Sequence, residues 1–150
     1  SVEAYVAAFS VVVSDIMAAR LRCRFALSVT GYQTLGASPR LPGYAPVAAI
    51  RRLFERYPQY QPQHCLTEMM EAYAAQAMVC ISQSNLSMEN VNPGGGALAR
   101  GHPIGASGAI LVCRMFHELR QRDGQNGLCA IAAAGGLGSA MLLTPQTTEG

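Results

Sequence analysis

The chain has 150 residues, of which half are hydrophobic and only 13% are charged, with a net charge of +2 at neutral pH. This length fits one domain with a core of its own, and the shortage of charge predicts that another protein layer covers part of its surface. All eleven basic residues are arginines that are scattered along the sequence, which argues against a nucleic-acid-binding surface.

Five cysteines are widely spaced and form no Cys-x-x-Cys pair. This pattern is typical of reduced thiols and not of a zinc site, so we expect a cytoplasmic protein without a bound metal or other cofactor. The apolar run over residues 4–13 is too short to cross a bilayer and follows Glu3 rather than a basic segment. We therefore expect neither a membrane span nor a signal peptide.

Apolar periodicity divides the chain into alternating strands and helices. Strands are predicted over residues 5–13, 24–35, 64–69, 128–134 and 138–143, with an extended segment at 88–92. Helices are predicted over residues 16–21, 46–57, 70–82 and 103–121, with loops or turns at 36–45, 57–63 and 123–126. Strands that alternate with helices and end in a hairpin predict an α/β domain with a mixed sheet.

The predicted helix over 103–121 is apolar around well over half of its circumference. Such a helix is normally buried on both sides. A domain of this size covers one side with its sheet, so the other side is expected to contact a layer that this chain does not supply.

Residues 92–108 read NPGGGALARGHPIGASG and are the most informative segment of the chain. Dense glycine permits positive φ and close approach of the backbone to a ligand. His102 lies between Gly101 and Pro103, and Pro103 suits the first turn of a helix, so we expect His102 at a helix mouth. There the imidazole can present one ring nitrogen to a ligand while its neighbours hold the other.

This segment resembles the histidine motif of the thiolases, and three further segments resemble that family in the same order. They are Pro46-Val47-Ala48-Ala49-Ile50-Arg51, Met70-Glu71-Ala72-Tyr73-Ala74-Ala75-Gln76 and Gly135-Gly136-Leu137-Gly138-Ser139-Ala140-Met141. The resemblance covers nearly the whole chain, corresponds to the C-terminal half of a thiolase, and is nearest to the thiolases of fatty-acid β-oxidation trifunctional complexes. It implies a thiolase-type C-terminal domain over residues 1–150, with a five-stranded mixed sheet between helices and no nucleophile-bearing N-terminal half.

The resemblance also implies roles for individual residues. Thiolases transfer acyl groups between coenzyme A thioesters, and His102 corresponds to the histidine that donates a hydrogen bond to the thioester oxygen. Substrate-binding positions correspond to Gly101, Glu71, Ala134 and Gly135, with the backbone of the last two lining the thioester pocket. Glu71 has a second interpretation: its negative charge would interact favourably with the helix dipole at the start of the predicted 70–82 helix.

Two positions depart from the family pattern. Ala132 stands where the family has its acid/base cysteine, and Met70 stands where it has Asn or His. Alanine cannot abstract or return a proton, and methionine offers no strong hydrogen-bond donor. Cys129 is no substitute for the missing thiol, because an odd separation along a strand places its side chain on the opposite face.

The leading hypothesis is therefore a component of a thiolase-like acyltransferase that acts on 3-ketoacyl-CoA or acetyl-CoA. We expect the isolated chain to be inactive, because it lacks both catalytic cysteines. The expected partners are acyl-CoA, a chain that carries the N-terminal thiolase half, and further copies in a homo- or hetero-oligomer. The alternatives are an inactive acyl-CoA-binding protein, a structural subunit of a thiolase-like complex, and a fragment of a longer polypeptide.

Overall fold

A computed structural model of the chain describes residues 6–122 and 124–147. The helices and strands follow in the order α1 (Asp15–Arg20), β1 (Phe25–Gly36), α2 (Ala45–Arg56), β2 (Leu66–Met69), α3 (Ala74–Gln83), α4 (Ala97–Arg100), α5 (Ser107–Arg120), β3 (Gly127–Ala133) and β4 (Leu137–Thr147). Short 3₁₀ turns occur at Pro42–Tyr44, Pro62–His64 and Met88–Asn90. In the described part of the chain, no helix combines the length and apolarity that crossing a membrane requires.

The strands form one mixed sheet in the order β1-β4-β3-β2. Strand β4 pairs antiparallel with β1 and β3, whereas β2 and β3 run parallel. The predicted α/β class, mixed sheet and closing hairpin are confirmed. The sheet has four strands and not the expected five, because the predicted first strand does not form in the described residues.

The segment that was predicted as the first strand has no helix or strand over residues 6–14, while Tyr5 lies outside the described residues. Its β-branched side chains are exposed, and Val11 is 89% accessible. The segment passes over α5, where the Cys113 thiol donates to the Phe9 carbonyl at 3.4 Å. A β-branched run forms a strand only where a sheet edge accepts its backbone bonds, and no such pairing occurs here.

The sheet is covered by helices on both faces, as expected. On one face, α2 contributes Val47, Ile50 and Leu53 to a core with Leu128 and Leu142. On the other face, α5 contributes a second cluster with the sheet. The residues of α5 in that cluster are Leu111, Met115 and Leu119.

Only one side of α5 is buried in this chain. Its buried residues repeat at helical spacing (Ser107, Leu111, Met115 and Leu119), whereas Val112, Cys113 and Phe116 on the remaining circumference are half-buried. The apolar composition predicts that α5 is buried on both sides. The described residues bury only one side, so a covering layer remains a prediction.

Several predicted boundaries are wrong by about one turn. Helix α3 begins at Ala74 and not at residue 70, because the Met70 N–H instead donates to the Ala130 carbonyl at 2.9 Å and prolongs the strand pairing. Helix α5 begins at Ser107 and not at 103, so His102 precedes a separate turn rather than the helix itself. The short helix α4 was not predicted, and the expected extended segment at 88–92 begins with a 3₁₀ turn. The predicted turn at 123–126 includes Asp123, which lies outside the described residues.

Candidate functional site

The glycine-rich segment is fastened to the end of β2 by the Asn92 side chain. Its amide oxygen accepts from the Met69 N–H at 2.8 Å, and its amide nitrogen donates to the Met69 carbonyl at 3.0 Å. Asn92 is buried and adopts a left-handed φ of 48°, a conformation that asparagine tolerates better than most residues. One side chain therefore acts as a strand partner for Met69 and sets where the following glycines begin.

Glu71 holds the same segment from the other side. One carboxylate oxygen accepts from the Asn92 amide at 2.6 Å, and the other accepts from the Leu98 N–H at 3.0 Å. Leu98 belongs to α4, so Glu71 supplies the acceptor that an orphan N–H at a helix start needs. A dipole role at the start of α3 is wrong, since α3 begins three residues later. A role for Glu71 in substrate binding stays a prediction.

His102 is held by the backbone on both sides and by a hydroxyl at its ring. Gly101 has a φ of 92°, which a residue with a Cβ adopts only with strain, and Pro103 follows directly. The Nδ1 atom of the half-buried imidazole lies 2.7 Å from the Ser107 Oγ atom. The ring is therefore positioned through Nδ1, and no protein hydrogen bond within the described residues occupies Nε2.

A small surface depression lies beside His102. Its lining consists of Met70, Ala97, Arg100, Gly101, Pro103, Ser107, Ile110 and Leu111. Met70 is only 5% exposed and packs with the α5 cluster, so it closes the floor of the depression with a thioether. The structure thus brings the predicted positions Met70 and Gly101 together in this lining, which includes both chain neighbours of His102 but not His102 itself.

Ala132 lies near the end of β3, on the neighbouring strand. It pairs with Gly138 of β4, and a Cβ placed on Gly138 would meet the Ala45 backbone at the start of α2. Since paired residues project from the same face, the Ala132 methyl faces the α2 side. Ala132 is not part of the lining of the depression beside His102.

Cys129 lies on the opposite face of β3. It is buried against the α5 cluster with Leu143, and burial raises the pKa of its thiol strongly. The separation of Cys129 from the Ala132 face is confirmed. A buried thiol with a raised pKa on the wrong face cannot act as the base for that position.

Ala134 and Gly135 form the exposed turn between β3 and β4. Gly135 and Gly136 both have φ near 87°, and a Cβ on Gly136 would lie 2.6 Å from the Ala37 carbonyl oxygen. The turn is therefore built for glycine and held against the loop after β1. The described residues show no contact between this turn and His102.

Sequence analysis missed a buried ion pair beneath the glycine-rich segment. Glu68 on β2 is fully buried, and its Oε2 atom accepts from Arg114 Nε on α5 at 2.8 Å. Burial raises the pKa of Glu68, and the adjacent Arg114 guanidinium opposes that shift. Glu68 Oε1 and Arg114 Nη2 have no partner among the described residues. A lone glutamate inside an apolar strand and an arginine on an apolar helix were the available signals.

Sequence analysis also passed over Ser107 and Asn92, although both lie in the segment that it singled out. Their importance depends on contacts across five and 23 residues of sequence, respectively. Together these residues produce an oriented imidazole beside a small depression. Such an arrangement can donate or accept one hydrogen bond through Nε2, and the lining of the depression contributes the Ser107 hydroxyl and the Arg100 guanidinium but no carboxylate.

Comparisons with known proteins identify the family to which this fold belongs. A family model described as the C-terminal domain of thiolase matches residues 24–145. The β-ketoadipyl-CoA thiolase of Acinetobacter baylyi is 36% identical over 139 residues, which cover 91% of this chain and 35% of that protein. The chain thus spans about a third of the length of the curated relative it matches.

Solved structures give the same result. The acetyl-CoA acetyltransferase of Bacillus anthracis superposes with a TM-score of 0.83 at 30% identity, covering 89% of this chain and 34% of that one. The peroxisomal 3-ketoacyl-CoA thiolase of Saccharomyces cerevisiae superposes with a TM-score of 0.77 at 34% identity, covering 85% of this chain and 36% of that one. That yeast protein is described as a five-layered structure built from two core domains of identical topology.

Proposed function

The chain belongs to the thiolase family as a C-terminal domain, and from that premise we propose that it is a component of a thiolase-type acyltransferase acting on acyl-CoA thioesters. The reaction is thiolysis of a 3-ketoacyl-CoA or condensation of acetyl-CoA. The observation that carries this proposal is the His102 ring, held at Nδ1 by Ser107 beside a depression lined by Met70 and Gly101. Its open Nε2 is suited to donate to a thioester oxygen that gains negative charge in the transition state.

The proposed contribution of this chain is an oxyanion hole and not the proton transfer. His102 supplies one donor, and the backbone of Ala134 and Gly135 supplies the second site. Glu71 keeps the glycine-rich segment in place through Asn92 and Leu98. The Ala132 methyl holds no exchangeable proton, and Met70 supplies no N–H or O–H, so the acid/base step requires a group from outside this chain.

The nucleophile is proposed to come from a partner that carries the N-terminal thiolase half, with residues 1–150 as the C-terminal half. One feature supports a further covering layer, whether it belongs to a second chain or to another part of the same polypeptide. Phe9, Val11 and Val12 lie in the segment that passes over α5, and each is at least 88% exposed. Exposed apolar surface of this kind is typical of an interface.

Two finer assignments belong to the same proposal. A place in fatty-acid β-oxidation is supported by the likeness to the yeast 3-ketoacyl-CoA thiolase. A cytoplasmic location is supported by the odd number and wide spacing of the five cysteines in the sequence. Assembly into homo- or hetero-oligomers is also proposed, since large apolar side chains such as Phe9, Val11 and Val12 are exposed.

A second candidate function is an inactive acyl-CoA-binding or structural subunit of a thiolase-like complex. Ala132 favours it, because the residue that family members use for proton transfer is replaced by a methyl group. In this candidate function the chain binds acyl-CoA through the residues of the oxyanion hole or has a structural role, and it does not catalyse the reaction.

The test begins with the native mass of the chain from its source and the identity of whatever co-purifies. That preparation is then assayed for thiolysis of acetoacetyl-CoA. The assay compares the natural chain with Ala132→Cys, and Ala133→Cys is the control because it places a thiol on the opposite face of the strand. A thiol restored at the acid/base position should raise the rate by about 10² to 10⁴ when a nucleophile-bearing partner is present, and Ala133→Cys should leave it unchanged. Acyl-CoA binding without thiolysis by Ala132→Cys in that complex would favour the second candidate.

The role of His102 is tested in the same Ala132→Cys background. His102→Ala removes one oxyanion donor and should lower the rate by about 10² to 10³. His117→Ala, an exposed histidine on α5, is the matched control and should change little. Efficient thiolysis by the natural chain alone would contradict the proposal.

A further inference from the structure

The run over residues 6–13, VAAFSVVV, exposes side chains that a folded protein normally buries, and its backbone is equally unsatisfied. Phe9, Val11 and Val12 are each at least 88% accessible. No N–H of residues 6–14 donates a hydrogen bond to any residue that the structure describes. Because buried N–H groups need acceptors, whatever covers this run must offer hydrogen bonds as well as apolar contact. The open edge of a β-sheet offers both.

The run lies on the side of α5 that faces away from the sheet of this chain. The Cys113 thiol donates to the Phe9 carbonyl at 3.4 Å, and its sulfur lies 3.5 Å from the Ser10 hydroxyl. Leu111 and Met115 face the sheet, and each is two residues from Cys113. Two residues of an α-helix turn through about 200°, so Cys113 points away from the sheet. Helix α5 therefore separates the run from the sheet of this chain, and the run needs another sheet to pair with.

The pattern of side chains indicates where in another sheet the run would fit. Successive residues of a strand point to opposite faces, so Phe9 and Val11 would share one face and Val12 would occupy the other. A strand with one face in water alternates apolar and polar residues, whereas a strand between two helical layers is continuously apolar. Ser10 is the only polar residue of the run. The run is therefore suited to a sheet that is covered on both faces, and α5 can cover only one of them.

We propose that residues 6–13 form a strand in the sheet of the N-terminal, nucleophile-bearing thiolase half, which places α5 between that sheet and the sheet of this chain. The inference rests on the partner proposed above, whether that half is a second chain or another part of the same polypeptide. It accounts for the unpaired backbone of the run. It also explains why Val112 and Phe116, on the remaining circumference of α5, are left half-buried. The occupant is thus a sheet edge and not a flat apolar surface.

Hydrogen–deuterium exchange of the preparation from the natural source, with any partner retained, tests this pairing. The amides of residues 7–13 should exchange at least about tenfold more slowly than those of an unstructured peptide of the same sequence. Val11→Pro removes one N–H from the run and should return its remaining amides toward the peptide rate, because proline is not accommodated inside a sheet. Asp15→Pro is the matched control. Asp15 is the first residue of α1, where proline is tolerated, so the run should stay protected.

Several outcomes would overturn the inference. Exchange of residues 7–13 at the peptide rate in the natural preparation is one, and it is decisive even if Val11→Pro does not assemble. Protection in a species that contains only copies of this 150-residue chain would assign the run to a second copy instead. Protection against a polypeptide without a thiolase-like N-terminal half would overturn it as well. Protection against such a half in an assembly that has no thiolysis activity, even as Ala132→Cys, leaves the inference standing and counts against the proposed function.

Discussion

Arg114 Nε lies 2.8 Å from Glu68 Oε2, and this ion pair joins α5 to the centre of β2 directly beneath the glycine-rich segment. The carboxylate is fully buried, whereas the guanidinium side chain retains 21% exposure. A Cβ on Gly94 would lie 2.8 Å from Arg114 Nη2, so the segment above is packed onto the pair. The position of the candidate site therefore depends on a charge in the core as well as on apolar packing.

The first prediction concerns the pH dependence of stability. Burial raises the folded-state pKa of Glu68 above its ordinary value of 4.5. The folded state then retains a proton that the unfolded state has lost, so the contribution of this group is present at low pH and declines as pH rises through the raised pKa. The glutamine of Glu68→Gln has no proton to release, so the free energy of unfolding of this variant should not show this decline. The difference in unfolding free energy between Glu68→Gln and the natural chain should thus shift steadily in favour of the variant from acidic to neutral pH.

Urea denaturation of both proteins across that range measures the difference. Glu55→Gln removes the exposed partner of Arg52, keeps Glu68, and should follow the natural chain. A difference between Glu68→Gln and the natural chain that is constant with pH, or that moves the other way, would refute the raised pKa.

The second prediction concerns the cation of the pair. Arg114→Met leaves the buried Glu68 carboxylate without its partner, and at neutral pH this should cost about 3 to 5 kcal/mol of unfolding free energy. Removing both charges in Glu68→Gln/Arg114→Met should recover much of the loss. Arg52→Met breaks the exposed pair with Glu55 and should cost at most about 1 kcal/mol. Chemical denaturation of the natural chain, Glu68→Gln, Arg114→Met and the double variant completes the cycle. Equal losses for Arg114→Met and the control Arg52→Met would contradict the prediction.

The third prediction tests the Asn92 clamp. Asn92→Ala leaves the buried Met69 N–H and carbonyl without partners, which should destabilise the chain by about 1 to 3 kcal/mol beyond any backbone effect. Asn85→Ala is a matched control because Asn85 is exposed and has a similar φ of 54°. Both variants share the cost of alanine in the left-handed region, so their difference in unfolding free energy isolates the clamp. No difference between them would mean that Asn92 matters only through its backbone.

The fourth prediction concerns thiol reactivity. Burial raises the pKa of Cys65 to about 11 and also raises the pKa values of Cys80 and Cys129. Since the thiolate is the reactive form, these three cysteines should alkylate at least about tenfold more slowly than half-buried Cys113 at neutral pH. Peptide mapping after timed iodoacetamide treatment measures the rates, and the contrast should vanish in urea. Comparable native rates for Cys113 and Cys129 would show that the β3 core opens readily.

Much of the fold followed from local patterns. Apolar periodicity and turn residues identified β1, β2, β3, β4 and the helices α1, α2, α3 and α5 in the right order. Helices α3 and α5 begin four residues later than predicted, and β4 ends four residues later than predicted. The histidine motif and the closing glycine hairpin identified the family without any structure. The residues that carry these signals are neighbours in sequence, which is why a single sequence is enough to find them.

The errors arose where a neighbour in space overrides local propensity. The β-branched run over residues 6–13 pairs with no strand among the described residues and is largely exposed. Residues 70–73 carry a helical pattern, yet Met70 donates to Ala130 on the adjacent strand and delays α3. Each difference follows from a backbone hydrogen bond that is made, or is missing, over a long sequence separation.

The sequence by itself determined the family, the α/β layering, the His102 motif and the absence of a titratable group at Ala132, because these depend on residue identity and short-range order. Only the tertiary structure decided that Asn92 and Glu71 clamp the glycine-rich segment, that Glu68 pairs with Arg114, and that Ser107 meets His102 Nδ1. Those contacts depend on distances of a few ångströms between side chains, and such distances are set by how the sheet and its helices pack together. The chemistry available at His102 is encoded locally, whereas its direction is a property of the folded chain.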